Sequence, residues 1–329
     1  RQPLWNAYSF FALYANAANG GEGYDAQWST ASNDVLDRYL LAKLQDFVAQ
    51  VQTQMDAYDI AGACDSVRSF LDVLTNWYIR RSRERFWGTG SSASTGTEHE
   101  ASSNEAFDTL YTALEVVTRA AAPLLPFETE QIWRGLTGGR SVHLTDFPVA
   151  GDLPADADLV TAMDRAREVC SATLAIRKAE KLRVRLPLES VTFVGENPHP
   201  LEQFADLISD EVNVKNVVLA DSANVDADAL GVSRRLTVNA RAAGPRLGKN
   251  VQQAIKGSKS GDWSLGADGV VTAGGLALEE GEYTLDMVVD TEKAGADTAA
   301  GMLPGGGFVV LNTQVTPELA AEGLARDVV

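Results

Sequence analysis

The chain has 329 residues, of which 45% are hydrophobic and 22% are charged. This length is sufficient for about two or three domains that each bury a core, and the composition is ordinary for a globular protein. No apolar run approaches the ~18 residues that a membrane span needs, and the first residues lack the basic and then apolar layout of a secretory signal. These features argue against a membrane protein and a secreted protein, and we expect a cytoplasmic one.

Charge is distributed unevenly along the chain. A net charge of -17 would repel polyanions if it were spread evenly. Residues 165–185 and 229–261 are basic, however, whereas residues 196–228 and 262–329 are strongly acidic. Because salt screens charges over roughly 8 to 10 Å, a local basic patch could still bind phosphate. Cys64 and Cys170 are isolated in the sequence, so neither a disulfide framework nor a zinc site is predicted.

Apolar residues recurring every three or four positions predict helices in the first half of the chain. The first helix covers residues 4–17 and ends near Gly20, where the chain turns. The second opens at Asn33 and Asp34 and carries a continuous apolar stripe from Leu36 to Met55. Such a stripe needs a partner, and the following helix within residues 57–88 has a matching apolar face. We therefore predict an antiparallel helix bundle.

The end of this third helix differs from its beginning. Residues 76–87, here called the tip, place four arginines between two tryptophans: Trp77, Arg80, Arg81, Arg83, Arg85 and Trp87. Guanidinium groups bind phosphate oxygens in pairs, and guanidinium and indole planes stack on unpaired bases. A helix whose charged end is merely solvated accounts for the same pattern, and composition alone favours that interpretation.

After the tip, the sequence pattern changes from a Gly/Ser-rich stretch to helices and then to strands. Residues 88–104 are rich in Gly and Ser and predict a mobile surface loop. Further helices follow from Phe107, from Pro126 and from Asp156. Residues 182–186 then alternate between apolar and basic side chains, which predicts a strand with an exposed basic side. Beyond it, VTFVG, VKNVVLA, RRLTVNA, VVTAG, YTLDMVV and FVVLNT are typical strand sequences, interspersed with helices at about 201–212, 244–257 and 316–329.

The tip sequence NWYIRRSRERFW resembles the signature helix in the anticodon-binding region of isoleucyl-tRNA synthetases, which are class I aminoacyl-tRNA ligases. Four further stretches fit that family in the same order: LWNAYSFFALYAN, LDRYLLAKLQDFV, APLLPFETEQIW and RKAEKLRVRLPL. The helical part is similar to valyl- and leucyl-tRNA synthetases as well, whereas DLISDEVNVKNV and GPRLGKNV point to the isoleucine enzyme. The resemblance covers nearly the whole chain.

The resemblance implies a multidomain fold. Residues 1–155 are expected to form an all-α antiparallel helix bundle of the class I synthetase anticodon-binding type. Residues 156–190 are expected to form a connecting helix and the basic strand, and residues 191–329 a mixed α+β C-terminal region that could divide into two small units. Helical patterns begin and stop close to both chain ends, so we expect a fragment of a longer protein.

The resemblance also implies what this chain does not do. The HIGH-like and KMSKS-like motifs of the class I ATP site are absent from the sequence. Activation of isoleucine with ATP and Mg, its transfer to tRNA and the editing of valine would belong to a catalytic portion outside this chain, where zinc could be bound as well. We expect no catalytic residue, metal site or cofactor in this chain, and a monomer that binds tRNA(Ile).

Three basic segments supply the candidate tRNA-binding residues, and we expect them to converge on one surface. The candidate phosphate contacts are Arg80, Arg81, Arg83, Arg85, Arg177, Lys178, Arg183, Arg185, Arg246 and Lys249. Trp77 and Trp87 are the candidate stacking platforms, and Asn76 shares a helical face with Arg80, Arg83 and Trp87. For Trp77, which continues the apolar stripe, packing in the core is the better supported alternative.

Two other functions are compatible with the same residues. The chain could be the equivalent fragment of a valyl- or leucyl-type synthetase, since the helical part is similar in all three. It could also be a non-catalytic protein-interaction module whose arginines pair with an acidic surface. Aminoacylation by the full-length protein with each amino acid would decide the first alternative. Competition with tRNA would decide the second, because a protein-interaction module should show no preference for the isoleucine-accepting species.

Overall fold

The computed structural model describes residues 3–87, 97–224, 232–266, 269–289 and 297–328. The chain forms two compact units, Arg1–Thr161 and Ala162–Val329, and each is described by itself. The predicted fold class is confirmed, because a helical part precedes a part with small sheets. Within the described residues, no helix combines the length and apolar character needed to cross a membrane.

The first unit is helical. Its α-helices are α1 (Pro3–Gly21), α2 (Val35–Asp56), α3 (Ile60–Asp72), α4 (Arg83–Phe86), α5 (Thr97–Ala121), α6 (Pro126–Thr137) and the start of α7 (Ala157–Ala179). A π-helical segment, Val73–Ile79, continues α3 toward α4, and 3-10 turns lie at Val142–Leu144 and Ala150–Asp152. Regular geometry in α1 stops before Ala18, as predicted, because Asn19 and Gly20 adopt left-handed backbone angles.

The predicted pairing of α2 with α3 is confirmed. Asp34 caps α2 by accepting from the backbone N–H of Leu36 at 2.8 Å. A short connection at residues 57–59 then returns the chain, and α3 packs on α2. The Phe47 and Phe70 rings stack with their centroids 4.8 Å apart, and both side chains are buried. Apolar faces that neither helix could bury alone form the bundle core.

The Gly/Ser-rich stretch is partly helical. Residues 88–96 lie outside the described residues, so the predicted loop there stays a prediction. Residues 97–104, which were predicted to belong to the same loop, form the first turns of α5. The apolar face that begins with the buried Ala106 and Phe107 continues this helix into the bundle.

The second unit contains one larger sheet and two smaller ones. The larger sheet has the order β2 (Val214–Asp221), β1 (Leu188–Gly195), β9 (Phe308–Asn312) and β8 (Thr298–Met302). Strands β1 and β2 are parallel and joined through α8 (Ala205–Val212), whereas β9 is antiparallel to β1 and β8. The helix α11 (Pro317–Val328) follows β9.

The two smaller sheets pack with a helical hairpin. One pairs β3 (Val232–Val238) with β7 (Tyr283–Val289), and the other is a meander of β4 (Trp263–Leu265), β5 (Val271–Ala273) and β6 (Leu276–Leu278). The hairpin consists of α9 (Ala240–Leu247) and α10 (Val251–Ser260), where a single helix over residues 244–257 was predicted. Gly248 has a φ of +54°, and this conformation ends α9 and divides the predicted helix.

The predicted basic strand over residues 182–186 is wrong. These residues form a turn, and the first strand begins only at Leu188. The Arg177 side chain donates to the carbonyl oxygens of Arg183 and Leu186 at 3.1 and 2.9 Å. Carbonyls that are drawn toward one guanidinium group cannot form the straight ladder of a strand, so the alternating pattern is overridden by a tertiary contact.

We predict that Gly257→Ala destabilises the second unit by about 1 to 3 kcal/mol, because overpacking a close contact forces the backbone to move. A Cβ atom on Gly257 would lie 2.2 Å from the backbone nitrogen of Gly274. Chemical denaturation of the whole chain measures the loss. Gln252→Ala on the exposed side of the same helix is the control and should change stability by less than about 0.5 kcal/mol. Equal effects of the two changes would contradict the prediction.

Candidate nucleic-acid interface

The tip leaves the bundle through an unusual helical turn. The π-helical segment Val73–Ile79 carries α3 to Arg80, and the short helix α4 follows after a turn at Ser82. A π-helix has more residues per turn than an α-helix, and such turns are frequent at functional sites. The wider turn rotates less per residue, which allows three consecutive large side chains, Trp77, Tyr78 and Ile79, to be buried together.

Five residues of the tip are exposed: Asn76, Arg80, Arg83, Glu84 and Trp87. The Nε atom of Arg80 donates to the backbone oxygen of Asn76 at 2.8 Å, and the Asn76 amide donates to Asp72 at 2.6 Å. The Arg83 guanidinium carbon lies 5.7 Å from the centroid of the Trp87 ring, a cation-π arrangement. Trp87 is 51% exposed, so the ring retains a surface that a base could cover.

Trp77 cannot serve as a stacking platform. Only 5% of its surface is exposed, and it lies in the core with Leu74 and Tyr78. The prediction of a stacking role for Trp77 is therefore wrong, and the alternative of core packing is correct. Its position on the apolar stripe of α3, three residues after Leu74, is the physical reason.

Arg85 is not a surface phosphate contact either. Its Nη1 and Nη2 atoms donate to the two carboxylate oxygens of Asp37 at 2.7 and 2.8 Å, and the buried Asp37 is 0% exposed. Burial by itself lowers the pKa of Arg85, but the hydrogen bonds and charge of Asp37 outweigh it and raise the pKa above its usual value. The predicted phosphate contact is thus replaced by a buried ion pair. Arg81, four residues earlier, is partly exposed.

The same carboxylate holds a third side chain. The hydroxyl of the buried Tyr78 donates to Asp37 at 2.8 Å. Burial and the neighbouring charge of Asp37 raise the pKa of Tyr78 well above its usual value, so the phenol remains protonated and continues to donate. Sequence reasoning missed Asp37, although a signal was available. A carboxylate three residues before Leu40 and seven before Leu44 falls on the buried stripe of α2, where a charge needs a partner.

The candidates in the second basic segment divide into one buried residue and three exposed ones. Arg177 is 0% exposed and donates to the backbone oxygens of Arg183, Leu186 and Asn213. Its predicted phosphate contact is wrong, because both terminal nitrogens bind carbonyl groups inside the unit. The exposed candidates in the segment are Lys178, Arg183 and Arg185.

The third basic segment is partly neutralised. The Nε atom of Arg246 donates to Glu282 Oε1 at 2.9 Å, Nη2 binds the other carboxylate oxygen, and Nη2 also donates to the Ala277 carbonyl at 2.8 Å. The hydrogen bond from Arg246, followed by one from the backbone of Glu279, lowers the pKa of Glu282 to about 2. The phosphate contact at Arg246 stays a prediction, because the side chain is exposed but its charge is paired, whereas Lys249 is exposed.

The tip belongs to the first compact unit, and the other two basic segments belong to the second. Their convergence on one surface stays a prediction. Among the described residues, no three His, Cys, Asp or Glu side chains come together in a group that could hold a metal ion. The exposed part of the tip therefore combines cations and an aromatic ring, which can bind phosphates and bases, with one carboxylate, Glu84.

Comparison with known proteins gives a consistent result. Residues 37–192 match the family model described as the anticodon-binding domain of tRNA ligase. The chain is 54% identical over 327 residues to the isoleucine-tRNA ligase of Leifsonia xyli, covering 99% of this chain and 27% of that relative. It is 51% identical over 329 residues to the isoleucine-tRNA ligase of Nocardia farcinica, covering 100% of this chain and 29% of the relative.

A third relative, the isoleucine-tRNA ligase of Mycobacterium tuberculosis, is 51% identical over 325 residues, which are 99% of this chain and 28% of the relative. The chain thus spans less than a third of the length of these relatives. Residues 37–192 are therefore similar to the anticodon-binding domains of tRNA ligases, and the chain matches the C-terminal portion of isoleucine-tRNA ligases over nearly its whole length.

Proposed function

We propose that this chain binds the anticodon region of tRNA(Ile) as part of an isoleucine-tRNA ligase, the enzyme that joins isoleucine to its tRNA with ATP. The observation that carries the proposal is the exposed set of Arg80, Arg83 and Trp87 within the matched residues 37–192. Activation of isoleucine with ATP and Mg, and any zinc site, are proposed for parts of such a ligase outside this chain.

The chemistry of the tip fits a single-stranded loop of RNA. Phosphate contacts from Arg80 and Arg83 would fix the position of the backbone, and the exposed part of Trp87 would stack on a splayed base. Stacking of a base on an aromatic side chain contributes about 1 to 3 kcal/mol. Arg83 lies over the Trp87 ring and so supports the ring that would receive the base.

The second unit would add phosphate contacts that carry no sequence information. Its exposed candidates are Lys178, Arg183, Arg185 and Lys249. Each contact to phosphate releases condensed counterions, so the affinity for tRNA should fall steeply as salt is raised. Such contacts would strengthen binding to all tRNAs alike, whereas the tip would discriminate between anticodons.

We predict that the double variant Arg80→Ala/Arg83→Ala weakens tRNA binding about tenfold or more and lowers the magnitude of the salt slope by about 1 to 2. The reason is the loss of two charge-assisted contacts to phosphate. Fluorescence anisotropy with labelled tRNA measures both quantities when salt is varied between about 50 and 200 mM, where the affinity changes steeply.

Arg68→Ala is the matched control, because Arg68 lies earlier on α3 and its side chain is 77% exposed. The described contact of Arg68 is an ion pair with Asp65, one helical turn earlier. This control should leave both quantities unchanged. If the double variant at Arg80 and Arg83 also leaves affinity and salt slope unchanged, the proposed role of the tip is wrong.

The identity of the tRNA needs a separate measurement. Binding is compared between isoleucine-, valine- and leucine-accepting tRNAs, each at the same salt concentration. Preference for the isoleucine-accepting species supports the proposal, and preference for another species assigns the chain to that ligase type. Equal binding to all three would contradict anticodon recognition by the tip.

A further inference from the structure

The exposed end of the tip rests on a very short helix. Helix α4 has four residues, and a helix of this length is unstable by itself. Two inward-facing side chains hold it in place. Phe86 packs edge-on against Phe10 and Phe107, with ring centroids 5.2 and 5.1 Å away, and Arg85 binds Asp37. The orientation of the neighbouring Arg83 and Trp87 therefore depends on these two anchors.

The polar anchor joins several parts of the bundle. Asp37, in the first turn of α2, accepts from Arg85, from Tyr78 and from the Ser32 hydroxyl at 2.7 Å. Arg85 Nε also donates to the Ser102 hydroxyl at 3.0 Å, and Nη2 donates to the Ser102 carbonyl at 2.8 Å. One buried carboxylate thus ties the loop before α2, the π-helical segment and α4 together, and through Arg85 it reaches α5.

The two residues that bind Asp37 lie on either side of the exposed arginines in the sequence. Tyr78 lies two residues before Arg80, and Arg85 lies two residues after Arg83. Both flanking residues bind the same carboxylate group, at 2.8 and 2.7 Å. The planar guanidinium accepts only a narrow range of orientations when both of its terminal nitrogens bind one carboxylate. The bracketing residues therefore fix the rotation of the chain on each side of the exposed arginines.

We propose that Asp37, acting through Arg85 and Tyr78, is a positioning residue that holds Arg80, Arg83 and Trp87 in the orientation in which they contact tRNA. The inference rests on the proposed function and extends it to a residue that is itself inaccessible to RNA. Buried ion pairs often add little stability compared with apolar side chains of similar size. Orientation, rather than stability, is the property that an apolar pair could not reproduce here.

The test uses a variant that removes both charges together, Asp37→Asn/Arg85→Met, so that no buried charge is left without a partner. Asparagine retains an oxygen that can accept from Tyr78. We expect amide hydrogen exchange over residues 80–87 to rise about tenfold while exchange over α2 stays unchanged. We also expect tRNA affinity to fall about tenfold and the salt slope to shrink by about 1 to 2.

A second variant keeps the buried positive charge. Arg85→Lys retains a cation for Asp37 but cannot form the two parallel bonds, so exchange over the tip should rise and affinity should fall about threefold or more. The matched control is Glu115→Gln/Arg119→Met, which removes a largely buried ion pair within α5. This control should leave tRNA affinity and exchange over the tip unchanged.

The outcomes separate the two proposals. Unchanged exchange over residues 80–87 in both Arg85 variants would overturn the positioning role, as would raised exchange with tRNA affinity at the level of the unaltered chain. If the unaltered chain itself binds no tRNA, the proposed function fails, and the role of Asp37 in positioning the residues that contact tRNA fails with it. In that case raised exchange would identify Asp37 only as an anchor of the tip.

Discussion

Replacement of Arg177 by methionine is expected to lower the free energy of unfolding of the second unit by about 3 to 5 kcal/mol. Methionine keeps the apolar length of the side chain but removes a guanidinium group that is 0% exposed. Three backbone oxygens, those of Arg183, Leu186 and Asn213, then lose a charged donor. The oxygens of Arg183 and Asn213 keep a hydrogen bond from a backbone N–H group. A hydrogen bond from a charged donor contributes about 1.5 to 3 kcal/mol, and removal of a buried charge offsets part of the loss of three such bonds.

The charge on Arg177 makes these bonds stronger than ordinary ones. Burial lowers the pKa of Arg177 to about 10, which still leaves the group charged at neutral pH. The bonded carbonyls belong to the turn before β1 and to the residue before β2. Asn213 has a φ of +51° and donates from its side chain to the Val184 carbonyl at 2.8 Å. Loss of the guanidinium group should therefore loosen the starts of both parallel strands.

Differential scanning calorimetry of the whole chain measures this effect, and hydrogen exchange of the β1 and β2 amides assigns the loss to the second unit. Lys178→Met is the control, because Lys178 is the next residue on α7 and is exposed. The control should change stability by less than about 0.5 kcal/mol. A similar small loss for Arg177→Met would show that solvent can replace the guanidinium group at these carbonyls.

The case of Arg177 shows what the sequence could have revealed about the candidate site. Cys170, Thr173 and Ile176 lie on the buried face of α7, and Arg177 follows Thr173 by four positions. A helical wheel thus places Arg177 near the core, although counting charges places it in a basic cluster. The helices themselves were predictable, because a bundle core imposes a period of three to four residues on the sequence.

Other features depend on contacts between distant residues and could not be predicted locally. Arg246 pairs with Glu282, which is 36 positions away and reaches it only because β7 pairs with β3. Most strands of the second unit were predicted correctly, but β4, β6 and β8 were missed. Strands β4 and β6 are only three residues long, and β8 (Thr298–Met302) is rich in small residues. The contact between Arg83 and Trp87 was accessible to sequence reasoning, since residues four apart face each other on a helix.

Asp37→Ala is expected to lower the free energy of unfolding of the first unit by about 2 to 4 kcal/mol, because removing the main partner of a buried ion pair leaves the other charge only partly compensated. The carboxylate is 0% exposed and accepts from Arg85, Tyr78 and Ser32. Arg85 retains hydrogen bonds to Ser102 and an ion pair with the partly exposed Asp34 at 3.3 Å, which balances its charge only in part. The high pKa of Arg85 prevents the group from losing its proton to relieve the cost.

Chemical denaturation measures this loss, and Asp46→Ala is its control because Asp46 is an exposed acid on the same helix. The control should remain within about 0.5 kcal/mol of the unaltered chain. Comparison with Arg85→Met and with the variant that carries both changes completes a double-mutant cycle. We expect the variant with both changes to be more stable than Asp37→Ala alone, with a coupling free energy toward the upper end of about 0.5 to 3 kcal/mol. Additive losses would mean that Arg85 gains solvent or another partner when Asp37 is absent, and the buried pair would then not be the contact that holds α4 against α2.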